Sequence, residues 1–122
     1  MISAHIGIIL VVTGAATAIA IIQFIAPSSV LRMVAGVAPA DTVSKALARH
    51  WGLLIFLIGI LLIYAAFHPT VRDPAMVVAV VEKLAFGAGV LGTSLRSWPI
   101  ATAIATGDSF IALVYLLYLV GF

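Results

Sequence analysis

The chain has 122 residues, of which 65% are hydrophobic and only 8% charged, six of them basic and four acidic. Soluble domains carry about 25% charged residues, and a chain this short leaves much of its surface uncovered, so the composition excludes an ordinary water-soluble globule and makes lipid the main solvent. The lack of cysteine excludes disulfides and thiolate sites, and a scattered net charge of +2 excludes a nucleic-acid partner.

The five prolines, Pro27, Pro39, Pro69, Pro74 and Pro99, separate apolar runs. A membrane-crossing helix needs about 20 mostly apolar residues. Residues 3–26, 44–67, 75–95 and 100–121 meet that length, which predicts an all-α integral membrane antiparallel four-helix bundle forming a single transmembrane domain over residues 1–122. The first span ends before Pro27. The connection after it is long enough for an amphipathic interfacial helix over residues 28–37, capped by Ser28 or Ser29, with Arg32 on its polar side. Thr42 or Ser44 is the expected cap of the second span. Short connections then join the second, third and fourth spans, and Trp98 is placed as an interfacial anchor. Residues 18–20 resemble a small-residue cleavage site, but no basic segment precedes them, so the first span is read as retained.

Arg32, Lys45, Arg49 and Arg96 fall on one side of this topology and Arg72 on the other. The positive-inside rule makes the first side cytoplasmic in a bacterial-type inner membrane, with both termini outside.

Charge within a spanning helix costs roughly 2.5–3.5 kcal/mol on insertion scales, so such residues face protein or water. Glu82, Lys83 and Asp108 are of this kind, and Gln23 and His50 join them as polar groups set inside helices. At 1.5 Å per residue, His50 lies about 9 Å from the cytoplasmic side, Asp108 about 12 Å and Lys83 about 18 Å. A hairpin of the third and fourth spans sets Asp108 opposite Gly87, one turn from Lys83, which makes Lys83 the first-choice partner of Asp108 and His50 an alternative or additional one. Glu82 and Lys83 are about 100° apart on their helix and point in different directions. Tyr115 shares a face with Asp108, and His5 and Gln23, eighteen residues or five full turns apart, share a face of the first helix. Together these residues sketch a polar seam from Gln23, His50 and Asp108 through Lys83 and Glu82 to Tyr115 and Tyr64. Such a group either fixes helix register or takes part in binding or catalysis. His5 and His68 lie near the membrane surfaces.

Gly87, Gly89 and Gly92 match the glycine spacing of dinucleotide-binding loops, but they lie in an apolar helix, where glycine serves close packing. Gly14, Ala18, Gly52 and Gly59 are read the same way. No spacing of histidines and carboxylates resembles a zinc or di-iron helix motif.

A first span, a proline-containing connection into Val34-Ala35-Gly36-Val37-Ala38-Pro39-Ala40-Asp41, and a second span with Arg49-His50-Trp51-Gly52 and Gly59 a heptad later resemble the small bacterial DoxX-like membrane proteins. That resemblance implies a four-helix bundle and no agreed activity. Ala48-Arg49-His50-Trp51-Gly52 also resembles, with shifted spacing, the histidine segment of styrene oxide isomerase and hydroxylaminobenzene mutase. This second resemblance implies haem as cofactor and His50 as its ligand.

Three functions follow from these readings. The first is binding of a small apolar ligand or partner helices by a homo-oligomer, through Gln23, His50, Glu82, Lys83, Asp108 and Tyr115. The second is a membrane enzyme acting on a lipophilic substrate, isomerase-like, with His50, Glu82 and Asp108 as catalytic candidates. The third is a proton- or solute-moving subunit with carboxylate carriers.

Overall fold

A computed structural model describes residues 2–122, apart from the side chain of Ser94. Six α-helices account for most of it: α1 (Ile6–Ala18), α2 (Ile21–Ile25), α3 (Pro27–Ala35), α4 (Thr42–Phe67), α5 (Arg72–Leu91) and α6 (Pro99–Leu119). There is no strand among the described residues. Four helical stretches, Ser3–Ile25, Thr42–Phe67, Pro69–Leu91 and Pro99–Leu119, are long and apolar enough to cross a membrane.

The first stretch is not one uninterrupted α-helix. The Ile19 and Ala20 N–H groups donate to Ala16 and Thr17, and those of Ile22 and Gln23 donate to Ile19 and Ala20, a three-residue spacing that tightens the turn between α1 and α2. Thr13 and Thr17 both donate back to the carbonyl four residues earlier, an interaction that bends helices. The break ends the face proposed to join His5 with Gln23: His5 is exposed and Gln23 buried.

Pro27 opens α3 with its preset φ, and Gly36 ends it in the left-handed conformation at φ 75°. Trp98 covers Gly36 so closely that a β-carbon there would enter its ring, so this tryptophan braces α3. The cap of α4 is Asp41, not Thr42 or Ser44: its carboxylate accepts from the Ser44 N–H at 2.7 Å and from the Ser44 hydroxyl at 3.2 Å. These bonds hold the Asp41 carboxyl below its ordinary pKa, the Ser44 main-chain bond being the larger cause. At the other end of α4, Arg72 donates to the carbonyls of Ala65 and Ala66 at 3.1 and 2.9 Å, satisfying acceptors that the helix leaves open.

The third helix starts and stops earlier than residues 75–95. It ends at Leu91, after which the Thr93 hydroxyl accepts from the Leu95 N–H and opens a 3-10 turn, Ser94–Ser97. The chain's two ends come together, the Ser3 N–H donating to the Phe122 carbonyl at 3.3 Å.

Packing follows the small residues. Gly7 lies near Ala66, Gly14 near Gly59 and Ile63, and Gly52 near Ala20 and Gln23, so numbers fall along α4 as they rise along α1 and α2. Buried apolar residues form two clusters. The larger joins Ile6, Leu10, Leu62, Met76, Ala79, Ala112 and Tyr115; the smaller joins Val90, Ala101 and Ala105, with Val34, Phe86 and Leu95 against it. The polar groups of α5 and α6 occupy the interval between them.

Candidate functional site

Lys83 is the centre of that interval. Its side chain is 2% exposed, and a buried ammonium requires partners on every side open to it. It has two within hydrogen-bond distance: Asp108 Oδ1 at 3.2 Å and the Thr17 hydroxyl at 3.0 Å. The lysine–aspartate pair expected from the hairpin register is therefore present. Thr17 was not among the sequence candidates. Its signal lay in the i, i+4 spacing of Thr13 and Thr17 on an otherwise apolar helix.

Glu82 is a weaker partner. Its Oε1 stands 3.9 Å from Lys83 Nζ and is enclosed with no hydrogen bond, while the side chain as a whole keeps 15% exposure. The divergence of adjacent residues on a helix explains the arrangement, since Lys83 turns into the core and Glu82 to its margin.

The margin is a cavity of about 320 Å³, within the range of small-molecule sites. Its walls are mostly apolar. Ile19 and Ile22 come from the first helical stretch, Val30, Leu31, Met33 and Val34 from α3, Trp51 and Ile55 from α4, and Ile104 from α6. The polar wall is Thr17, Gln23, Glu82, Lys83 and Asp108. The helix read from sequence as interfacial thus lays its apolar side over this space. A second cavity, of about 330 Å³, shares Trp51, Glu82 and Phe86 with the first and extends towards Gly89 and Leu95. Phe86 and Gly89 are the residues one and two turns beyond Glu82, so one face of α5 supplies three walls of it. Trp51 and Phe86 stand with ring centroids 6.0 Å apart, tilted by 47°.

Gln23 donates to the Ala48 carbonyl at 2.8 Å, which fixes its amide beside the cavity and secures α2 to α4. Tyr115 is buried and shares a hydrogen bond with Thr13, away from the cavity wall. Tyr64 is exposed and stacks on His68 at 3.8 Å. The proposed seam is consequently shorter than drawn: Gln23, Glu82, Lys83 and Asp108 converge, whereas Tyr115 and Tyr64 lie outside.

His50 is not brought to this site. It is exposed on α4 and absent from both cavity walls, although its neighbour Trp51 lines both. One residue of displacement rotates a side chain by about 100°, enough to separate them. The imidazole therefore does not serve as alternative partner of Asp108, and it does not fit a haem held in the cavity. No group of three or more histidine, aspartate or glutamate side chains suited to a metal ion exists among the described residues.

Comparison with family models, with curated proteins and with solved structures gives no match to this chain. Nothing in them identifies the DoxX-like or isomerase families.

Proposed function

We propose that this chain is an integral membrane protein, an antiparallel four-helix bundle whose cavity binds a small lipophilic molecule. Four apolar helical stretches support the membrane reading, and their exposed faces carry Ile8, Val12, Leu57, Val81, Phe110 and Leu113, a surface that water does not favour. The observation that carries the binding reading is the cavity itself, apolar over most of its wall and polar on one side at Glu82 and Lys83. Such a combination orients an amphiphile. The charge placement supports a bacterial-type inner membrane with both termini outside the cytoplasm, since Arg32, Lys45, Arg49 and Arg96 lie in or flank the connections opposite the joined chain ends.

Trp51 supplies the test. In the unaltered protein, purified into phosphatidylcholine nanodiscs, 1-bromodecane quenches Trp51 fluorescence, read as the part of the emission that Trp51→Phe removes, in a saturable manner when it occupies the cavity. Ala16 lines the cavity, and Ala16→Phe fills part of it, leaving only the linear quenching of probe dissolved in lipid. Identical linear quenching in both proteins would contradict the proposal.

A further inference from the structure

The cavity's polar wall has a charge imbalance that limits what it takes. Two carboxyl groups, Glu82 and Asp108, face one ammonium, Lys83. That ammonium is committed: its hydrogen bonds go to Asp108 at 3.2 Å and Thr17 at 3.0 Å. Glu82 is left at 3.9 Å, beyond hydrogen-bond distance, with an enclosed oxygen that has no partner. A carboxyl in this state gains most from an added donor, because a hydrogen bond to an ionised group is stronger than a neutral one. Among the described residues, no other cationic side chain lines either cavity. Trp51 and Phe86 share both cavity walls with Glu82, and aromatic faces attract cations, most strongly where water is scarce.

Resting on the binding reading above, we infer that the cavity selects a lipophilic amine, whose protonated nitrogen is held by Glu82 beside Trp51 and Phe86 and whose apolar chain lies along Ile19, Ile22, Met33 and Ile104. An alcohol of equal length fills the same space with a weaker donor and no charge. A fatty acid brings a third carboxyl to a wall that already has one too many.

Displacement of 1-bromodecane from Trp51 distinguishes these ligands. The protein is the unaltered chain in phosphatidylcholine nanodiscs, read through the emission that Trp51→Phe removes, and free concentrations are corrected by partition into empty nanodiscs. Decylamine displaces the probe at a concentration roughly ten-fold below that of decanol, and decanoate is the poorest of the three. Glu82→Gln retains shape and hydrogen bonding but removes the charge, so in it decylamine and decanol become equal. Equal displacement by decylamine and decanol in the unaltered site overturns the amine inference while leaving the cavity a binding site. That comparison needs no variant at position 82, so it decides the matter even if Glu82→Gln does not fold. Absence of saturable 1-bromodecane quenching removes the binding reading itself, and this inference with it.

Discussion

The contact of α1 and α2 with α4 and the contact of α5 with α6 join helices by opposite means. On the first side the main chains themselves approach. A β-carbon on Gly59 would lie 2.6 Å from the Gly14 carbonyl oxygen and 2.8 Å from the Ala18 Cα, and one on Gly14 would lie 2.8 Å from the Gly59 carbonyl oxygen. Dispersion between closely packed backbones is the available attraction where a bundle's exterior is as apolar as its interior. On the second side a buried ammonium and a carboxylate meet, and alongside them space remains. Close glycine packing consumes volume, whereas a charged group must be surrounded by polar partners and interrupts the apolar core. The two hydrophobic clusters part at Lys83, and the cavity opens at that parting.

The largest effect expected from breaking this contrast is at Gly59. Gly59→Leu sets a side chain against main-chain atoms, which cannot give way as a flexible side chain does. Its cost exceeds the ~1–3 kcal/mol typical of an overpacked core, and little protein should survive gel filtration in mild detergent. Gly89→Leu is the matching control on α5, because a β-carbon there meets nothing within 4 Å. It leaves the fold intact, and it weakens self-association only if that face joins copies of the chain.

Lys83 and Asp108 come next. Removing one charge strands the other, at a cost of about 3–5 kcal/mol in buried settings. Asp108→Asn and Lys83→Met should each lower the thermal midpoint strongly, and the double variant should lose less than the sum. Additive losses would remove the pair from the account. Thr17 still partners Lys83 in Asp108→Asn, so that variant should lose less than Lys83→Met, which strands the Asp108 carboxylate, and the cycle must be read from all four proteins.

Tyr115→Phe should cost less, about 1 kcal/mol for one neutral hydrogen bond, because Thr13 retains its bond to the Ile9 carbonyl. A fall as large as that of Asp108→Asn would extend the polar region to Tyr115 after all.

The smallest effect lies outside both contacts, at the start of α4. The Asp41 carboxyl has a lowered pKa in the folded state, so the unfolded chain binds the proton more readily and stability rises with pH. The contribution is complete above the ordinary aspartate value. It is lost as pH falls through the lowered one. Asp41→Asn keeps a cap without this titration, so the difference between the thermal midpoints of the native chain and this variant should narrow over that acidic interval. A constant difference would show that the cap's charge plays no part.

The four membrane-length stretches and the close contacts of Gly14, Gly52 and Gly59 were readable from the sequence because both rest on spacing, apolar runs of sufficient length and small residues one or two turns apart, whereas Gly89, read as a packing glycine too, faces open space. The Lys83–Asp108 pair was readable for a related reason, since a short connection fixes hairpin register closely, even though it runs over residues 92–98 rather than the four residues the sequence suggested. What could not be read was rotation. Whether His50 or Trp51 faces inward is a difference of one residue, and the break at Ile19–Ala20 changes the phase of everything between it and Pro27. Local hydrogen bonds of Thr13 and Thr17 set that phase, and apolar periodicity carries little trace of them in helices that are hydrophobic all round. The cavity was equally hidden, because one of its walls is α3, which is braced by Trp98 resting over Gly36, sixty-two residues earlier in the chain.

Small-molecule extraction tests the central claim, that the interval between the two hydrophobic clusters holds a lipophilic molecule. Protein purified from native membranes in mild detergent is extracted with organic solvent and analysed by mass spectrometry beside an Ala16→Phe preparation of equal purity. The account predicts one lipophilic compound present near equimolar amount in the native protein and depleted in the variant, while bulk lipids are unchanged. The same compounds at the same ratios in both preparations would contradict it.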